Sequence, residues 1–169
     1  TRKPRPNEIN SKDYQFVSIE DFNSLVKKNS FFEHAKIFDN YYGTLKEPVL
    51  ELLAQGKNVL FDIDWQGTQQ LKKIQKLWLV TIFILPPNIK VLKERLFNRH
   101  ENQEKIIEKR MNKFNEETSH WNEYNYVLVN DELETCYNKI LAIISSEKKG
   151  IKINQNLDEI QTKIKELIG

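Results

Sequence analysis

The sequence predicts an α/β fold built around a parallel sheet. Residues 58–63, 79–85 and 127–129 are short, continuous apolar runs. Such runs fit strands covered on both faces. Helix-forming segments at about 65–76, 88–98, 103–124 and 132–147 separate them. Strands alternating with helices give an α/β architecture with right-handed crossovers.

Residues 13–18 alternate apolar and polar side chains and predict a strand. Ser18 then opens a helix: Asp21 stands three residues after a capping hydroxyl, and Phe22, Leu25 and Val26 share one helical face. Residues 31–38 are aromatic-rich and predict extended structure. Pro48 predicts a helix start, where a missing N–H costs little. Val49, Leu50, Leu52 and Leu53 follow it, and Gly56 supplies the stop. Residues 150–156 form a polar connector. Leu157, Ile160, Ile164, Leu167 and Ile168 then make a helical stripe, which either packs on the same domain or meets a second copy in a homodimer.

At 169 residues the chain supports one good core, or one core with a small lobe. With 39% hydrophobic and 30% charged residues it reads as a soluble globular protein. Basic and acidic residues nearly balance, 26 against 24, and basic and aromatic residues do not interleave. A nucleic-acid partner is therefore not expected. The apolar stretch from Trp78 to Leu85 contains Thr81 and closes at Pro86-Pro87, far short of a membrane span. No membrane partner is expected, and without a visible signal peptide the expected location is cytoplasmic. Cys136 is the single cysteine, which excludes a disulfide within these residues and predicts a buried, inert thiol. His34, His100 and His120 are too widely spaced to suggest a metal site.

Three constellations carry chemistry. Arg2 and Arg5 stand three apart in a segment stiffened by Pro4 and Pro6. Guanidinium groups so held suit the forked contact that phosphate oxygens favour, and the Tyr14 and Tyr42 phenols add donors. A solvated basic stretch is the plainer reading of the segment alone. Glu33, Asp62 and Thr44 are the side-chain types needed to read guanine, which offers an N1–H, an exocyclic amino group and an O6 acceptor. Taken singly, each acid reads more plainly as a surface or capping residue; that reading weakens for Asp62 and Asp64, whose two-residue spacing points both to one face of the predicted strand. Arg95 and Arg99 share a helix face, and a polar run from His100 to Lys105 leads towards Arg110. Arginines flanking a polar loop suit a lid over phosphates, where positioning and charge neutralisation are the catalytic work. A solvated helix face with ordinary ion pairs is the competing reading. The whole set suits a small anion carrying a polar ring.

In this order the patterns strongly resemble guanylate kinase over about residues 1–148. The matching segments are Thr1 to Arg5, Lys12-Asp13-Tyr14 with Phe16-Val17-Ser18, Asn40 to Thr44, Asp62 to Gly67, Leu85-Pro86-Pro87, Arg95-Leu96 with Arg99, Lys109-Arg110, and Val129-Asn130-Asp131. The resemblance implies a P-loop NTPase-like parallel-sheet core with a small mixed GMP-binding lobe and a helical lid. It implies transfer of a phosphoryl group from ATP, with Mg²⁺, to GMP. Arg2, Arg5, Tyr14 and Tyr42 would hold the GMP phosphate, and Glu33, Thr44 and Asp62 would read guanine. Asp64 would help organise the Mg²⁺ and phosphate region, through water. Arg95, Arg99 and Arg110 would neutralise the ATP phosphates, and Asn130 would lie near adenine. Residues 1–45 would form the GMP-binding lobe, 46–148 the remaining core with a lid around 95–112, and 149–169 a connector and C-terminal helix.

The chain departs from the family pattern in places. His100 and Glu101 stand where the family usually has Gly and then Thr, so the lid is expected to move differently. Asn7 stands where Gly is frequent. The family precedes the first motif with a few dozen residues carrying a glycine-rich phosphate loop, and no such loop occurs in these 169 residues. The expectation is that this segment belongs in front of Thr1, and that these residues alone are inactive without it. The rival reading is a guanylate-kinase-like scaffold module, catalytically inactive, that binds phosphopeptides.

Overall fold

A strand persists only where a neighbour completes its ladder, and this selects among the predicted strands. The structure, a computed structural model, describes residues 1–5, 8–99 and 104–169, with Arg99 described in its backbone alone. The predictions for Asn7, His100 and Glu101, and for the Arg99 side chain, lie outside the described residues. The chain divides into two compact units, Thr1–Leu79 and Val80–Gly169.

In the first unit, α1 (Ile19–Lys27) starts as the capping pattern predicts: Ser18 Oγ accepts the Asp21 N–H at 3.0 Å and donates to the Asp21 carboxylate at 2.8 Å. Its buried Phe22 stacks on Phe31, with ring centroids 4.7 Å apart. β1 (Phe31–Ile37) and β2 (Asn40–Leu45) form an antiparallel hairpin, in which Glu33 faces Thr44 and Ala35 faces Tyr42. α2 (Lys46–Ala54) carries Pro48 in its first turn, and Gly56 after it has φ +72°. α3 (Trp65–Lys72) is capped by Asp64, whose Oδ1 accepts the Gly67 N–H at 3.0 Å. It packs on β1 through Gly67 and Gln70.

Two predicted strands do not form. Residues 13–18 begin in a turn, and only Tyr14 makes an isolated bridge, to Asn10. Residues 58–63 run irregularly, with Leu60 87% exposed. Neither segment has a ladder partner among the described residues. Asp62 and Asp64 therefore do not share a strand face. Asp62 is exposed, while Asp64 turns to cap α3.

The second unit contains the parallel pair: β3 (Ile82–Leu85) and β4 (Tyr126–Val129) run in register, Ile82 beside Tyr126 through Leu85 beside Val129. β4 is covered on both faces, as its continuous apolar run predicts, whereas Ile84 in β3 is 48% exposed. On one face Leu85 and Val127 pack with Phe114 of α5 (Glu104–Ser119) and with Ile164 and Leu167 of α7 (Leu157–Ile168). On the other, Tyr126 and Leu128 pack with Cys136 and Ile143 of α6 (Leu133–Lys148). The C-terminal stripe thus packs within its own unit, and Cys136 is buried. α4 (Ile89–Arg99) follows β3 and adds Leu92 to the first face. Among the described residues no helix is long and apolar enough to cross a membrane.

Candidate functional site

The first unit gathers the predicted anion-binding residues. Tyr41 N–H donates to Thr1 Oγ1 at 2.9 Å, which ties the opening segment to β2. Arg2 then reaches Glu8, donating through Nη1 to Oε2 and through Nη2 to Oε1. Its guanidinium also lies 5.2 Å from the Tyr14 ring centroid and 5.5 Å from that of Phe16. The Tyr14 and Tyr42 rings meet edge-on at 6.2 Å. Arg5 joins the group through its N–H, 2.7 Å from Glu8 Oε2, and its Nη1, 3.2 Å from Oε1. Hydrogen bonding from Arg2, then from the Arg5 N–H, holds the Glu8 carboxyl down at about 2.

Beside this cluster lies a cleft of about 430 Å³, lined by Arg2, Tyr14, Tyr42 and Thr44, with Phe22, Phe31 and Val49 among its apolar walls. That size suits a small organic ligand. Arg5, Glu33 and Asp62 are not among the residues lining it.

Glu33 is 4% exposed, buried between β2 and α3. Thr44 Oγ1 donates to its Oε1 at 2.6 Å. Its Oε2 lies so close to Gly67 that a Cβ there would stand 2.6 Å away, which explains the glycine. Burial raises the Glu33 pKa, the Thr44 hydrogen bond opposes that, and the Asp64 charge adds to it. Glu33 and Thr44 are thus brought together as the base-reading pattern expects, whereas Asp62 makes no described contact with either. Asp64 uses Oδ1 for the helix cap and Oδ2 to accept from Gln66 Nε2 at 3.1 Å.

In the second unit Arg95 donates to the Asn130 carbonyl at 2.8 Å and to the Asp131 carbonyl at 3.2 Å. The predicted Arg95 and Asn130 are therefore neighbours, with the arginine bracing the turn after β4. Asn130 N–H donates to the Leu85 carbonyl at 2.8 Å, and its side-chain oxygen is buried without a described donor. Arg110 lies half-buried on α5.

Sequence reasoning assigned no site role to Glu8, nor to Phe16 and Gly67, which it quoted only within matching segments. Glu8 had a readable signal, since it continues the three-residue spacing of Arg2 and Arg5 with the opposite charge. Gly67 closes the Asp62 to Gly67 motif, but the reason for a glycine there could not be read, because its need arises from a side chain 34 positions earlier meeting the first turn of α3.

The family model for guanylate kinase matches residues 1–147. Among curated proteins, the guanylate kinase of Paramagnetospirillum magneticum is 43% identical over 165 residues, covering 98% of this chain and 77% of that protein. The guanylate kinase of Rickettsia bellii is 50% identical over 149 residues, covering 88% of this chain and 78% of its own. The crystal structure of guanylate kinase from Anaplasma phagocytophilum superposes with a TM-score of 0.69 at 30% identity, covering 92% of this chain and 73% of that one. The family match runs from the opening arginine segment to near the end of α6, at identities well above chance, so the chain belongs to the guanylate kinase family.

Proposed function

We propose that this protein transfers the γ-phosphoryl group of ATP to GMP. An oxygen of the GMP phosphate attacks the γ-phosphorus, the bond to the β-bridging oxygen breaks, and ADP leaves with that electron pair beside GDP. The observation that best supports GMP as acceptor is the buried Glu33–Thr44 pair next to an arginine–tyrosine cleft. Guanine presents hydrogen-bond donors to a carboxylate there. Adenine presents an acceptor at N1, which a carboxylate repels.

In this reading Arg2, Arg5, Tyr14 and Tyr42 bind the GMP phosphate, and Glu33, Thr44 and Asp62 hold the base. Arg95, Arg99 and Arg110 serve the ATP phosphates, with Arg95 acting through the turn it braces. The buried Asn130 side-chain oxygen suits the adenine amino group as a donor. Mg²⁺ would enter with ATP and spread charge across its phosphate oxygens. A hard cation that keeps several waters fits Asp64, whose oxygens are each engaged once by the helix cap and Gln66 and retain lone pairs for a water.

The test is ADP formation from Mg-ATP in the natural full chain, with GMP or AMP as acceptor. GMP is expected to be preferred by up to about 10⁴-fold, the range reached when buried polar groups are left unpaired. Asp62→Ala should lower kcat/KM for GMP while leaving the KM for ATP nearly unchanged. Comparable turnover of AMP would contradict the base-reading role. GMP binding without any turnover would support the phosphopeptide-binding module instead.

A further inference from the structure

We infer that Glu8 is a positioning residue of the anion cleft: its carboxylate sets Arg2 and Arg5 in the attitude in which they grip the acceptor's phosphate. This rests on reading the arginine–tyrosine cluster as the phosphate site.

Arginine side chains carry much rotamer freedom, and freezing them on binding costs affinity. Here the freezing is done in advance. Arg2 makes a forked contact with both Glu8 oxygens, and the side chains of Arg2 and Glu8 are each only 14% exposed. The same Glu8 Oε1 also receives Arg5 Nη1 at 3.2 Å. Two guanidinium groups reaching one oxygen repel each other, and the carboxylate between them offsets that repulsion.

Glu8 is itself fixed to the segment it organises. Its N–H donates to the Arg5 carbonyl at 3.0 Å, while the Arg5 N–H returns a bond to Oε2 at 2.7 Å. The two closures pin residues 5 and 8 together, so the acid cannot swing away without breaking them. The Tyr14 and Phe16 rings also lie against the Arg2 guanidinium, at 5.2 and 5.5 Å from their centroids. Two positive charges and one negative leave the group at +1, so it still attracts a phosphate dianion.

A carboxylate near a phosphate also opposes it electrostatically, and the two effects predict opposite signs. Glu8→Gln keeps the shape and one acceptor but removes the charge. If positioning dominates, the variant binds GMP more weakly. If Glu8 acts mainly as an opposing charge, the variant binds GMP more tightly.

The experiment is steady-state kinetics of the natural full chain and of its Glu8→Gln, Glu8→Asp and Arg2→Ala variants, with GMP and Mg-ATP each varied. Glu8→Gln is expected to raise the KM for GMP at least tenfold, with kcat changed less than threefold and the KM for ATP less than twofold. Glu8→Asp keeps the charge but is one methylene shorter, and should raise the KM for GMP about threefold. If Glu8→Gln does not fold, Glu8→Asp carries the test alone. An unchanged or lowered GMP KM in the glutamate variants, with Arg2→Ala raising it, overturns the positioning role. So does a fall in kcat together with a rise in the KM for both substrates, which marks a purely structural acid. If Arg2→Ala leaves the GMP KM unchanged, the phosphate-site reading itself fails.

Discussion

Gln70 and Gln155 perform the same task in two units of different character. Each side-chain amide pairs with both backbone groups of one strand residue. Gln70 meets the N–H and carbonyl of His34 at 3.1 and 2.8 Å, and Gln155 meets those of Val127 at 2.8 and 2.7 Å. An exposed edge is thereby satisfied without another strand. What lies behind the edges differs. Around β4 the second unit packs apolar side chains on both faces. Behind β1 the first unit buries the Glu33 carboxylate against Thr44 and Gly67. The second unit uses burial for stability. The first gives some of it up to hold a carboxylate, which in the proposed function reads the base, since a buried carboxylate costs free energy that a methyl group would return.

This contrast can be broken or sharpened by substitution. The largest expected effect is in the second unit. Leu167→Ala should cost about 3 kcal/mol, within the usual range for emptying a buried leucine site, read as earlier unfolding of that unit in urea. The KM for GMP should not move. Gly67→Ala should act oppositely. Its Cβ would stand 2.6 Å from Glu33 Oε2, and relieving that overlap should cost about 2 kcal/mol, typical of overpacking. The KM for GMP should rise at least tenfold, and titration of GMP binding by calorimetry would show it. An unchanged GMP affinity would mean that the Glu33 geometry is not used for the base.

Acid pH separates two carboxylates within the first unit. The folded Glu8 pKa is about 2, below its ordinary 4.5. Its contribution is therefore fully present above pH 4.5 and is lost as pH falls through about 2. The folded Glu33 pKa is raised above 4.5, so burying its charge weakens the fold above that pH, and protonation relieves the strain as pH falls. Of the two carboxylates, only Glu33 should affect GMP binding above pH 4.5, weakening it as pH falls, on top of the loss from protonating the GMP phosphate near about pH 6. Comparing the pH profile of the GMP KM with that of Glu33→Gln checks this, and identical profiles down to pH 4.5 would contradict it. The smallest effects belong to the clamps. Gln155→Ala and Gln70→Ala should each cost about 1 kcal/mol, the net worth of ordinary hydrogen bonds. Faster amide hydrogen exchange at Val127 and at His34, respectively, would report them.

Much of this was legible before any coordinates. The continuous apolar runs at 79–85 and 127–129 marked strands covered on two faces; β3 and β4 are a parallel pair, and β4 is covered in that way while Ile84 of β3 stays exposed. Ser18 with Asp21 marked a helix start that forms as read. The same rules failed at residues 58–63, where the apolar run was just as clear. A run records a preference for extended backbone, whereas a strand also needs a partner's N–H and C=O groups, and those belong to another part of the chain. The site divides along the same line. Arg2, Tyr14, Tyr42 and Thr44 were readable as types and do line one cleft. That Arg95 braces the Asn130 turn depends on where α4 lies against the end of β4, and helical spacing carries no such information.

By itself the sequence determined the local choices: which segments are helical, where caps and stops fall, which faces are apolar, and which side chains offer phosphate and base chemistry. These follow from residue type and spacing within a few turns of chain. Only the tertiary structure decided that Glu8 unites Arg2 with Arg5, that Glu33 is buried against Thr44 and Gly67, and that two glutamines close two strand edges. Hydrogen bonds and desolvation act over a few ångströms in space, and the partners that meet at that range are set by the fold rather than by distance along the chain.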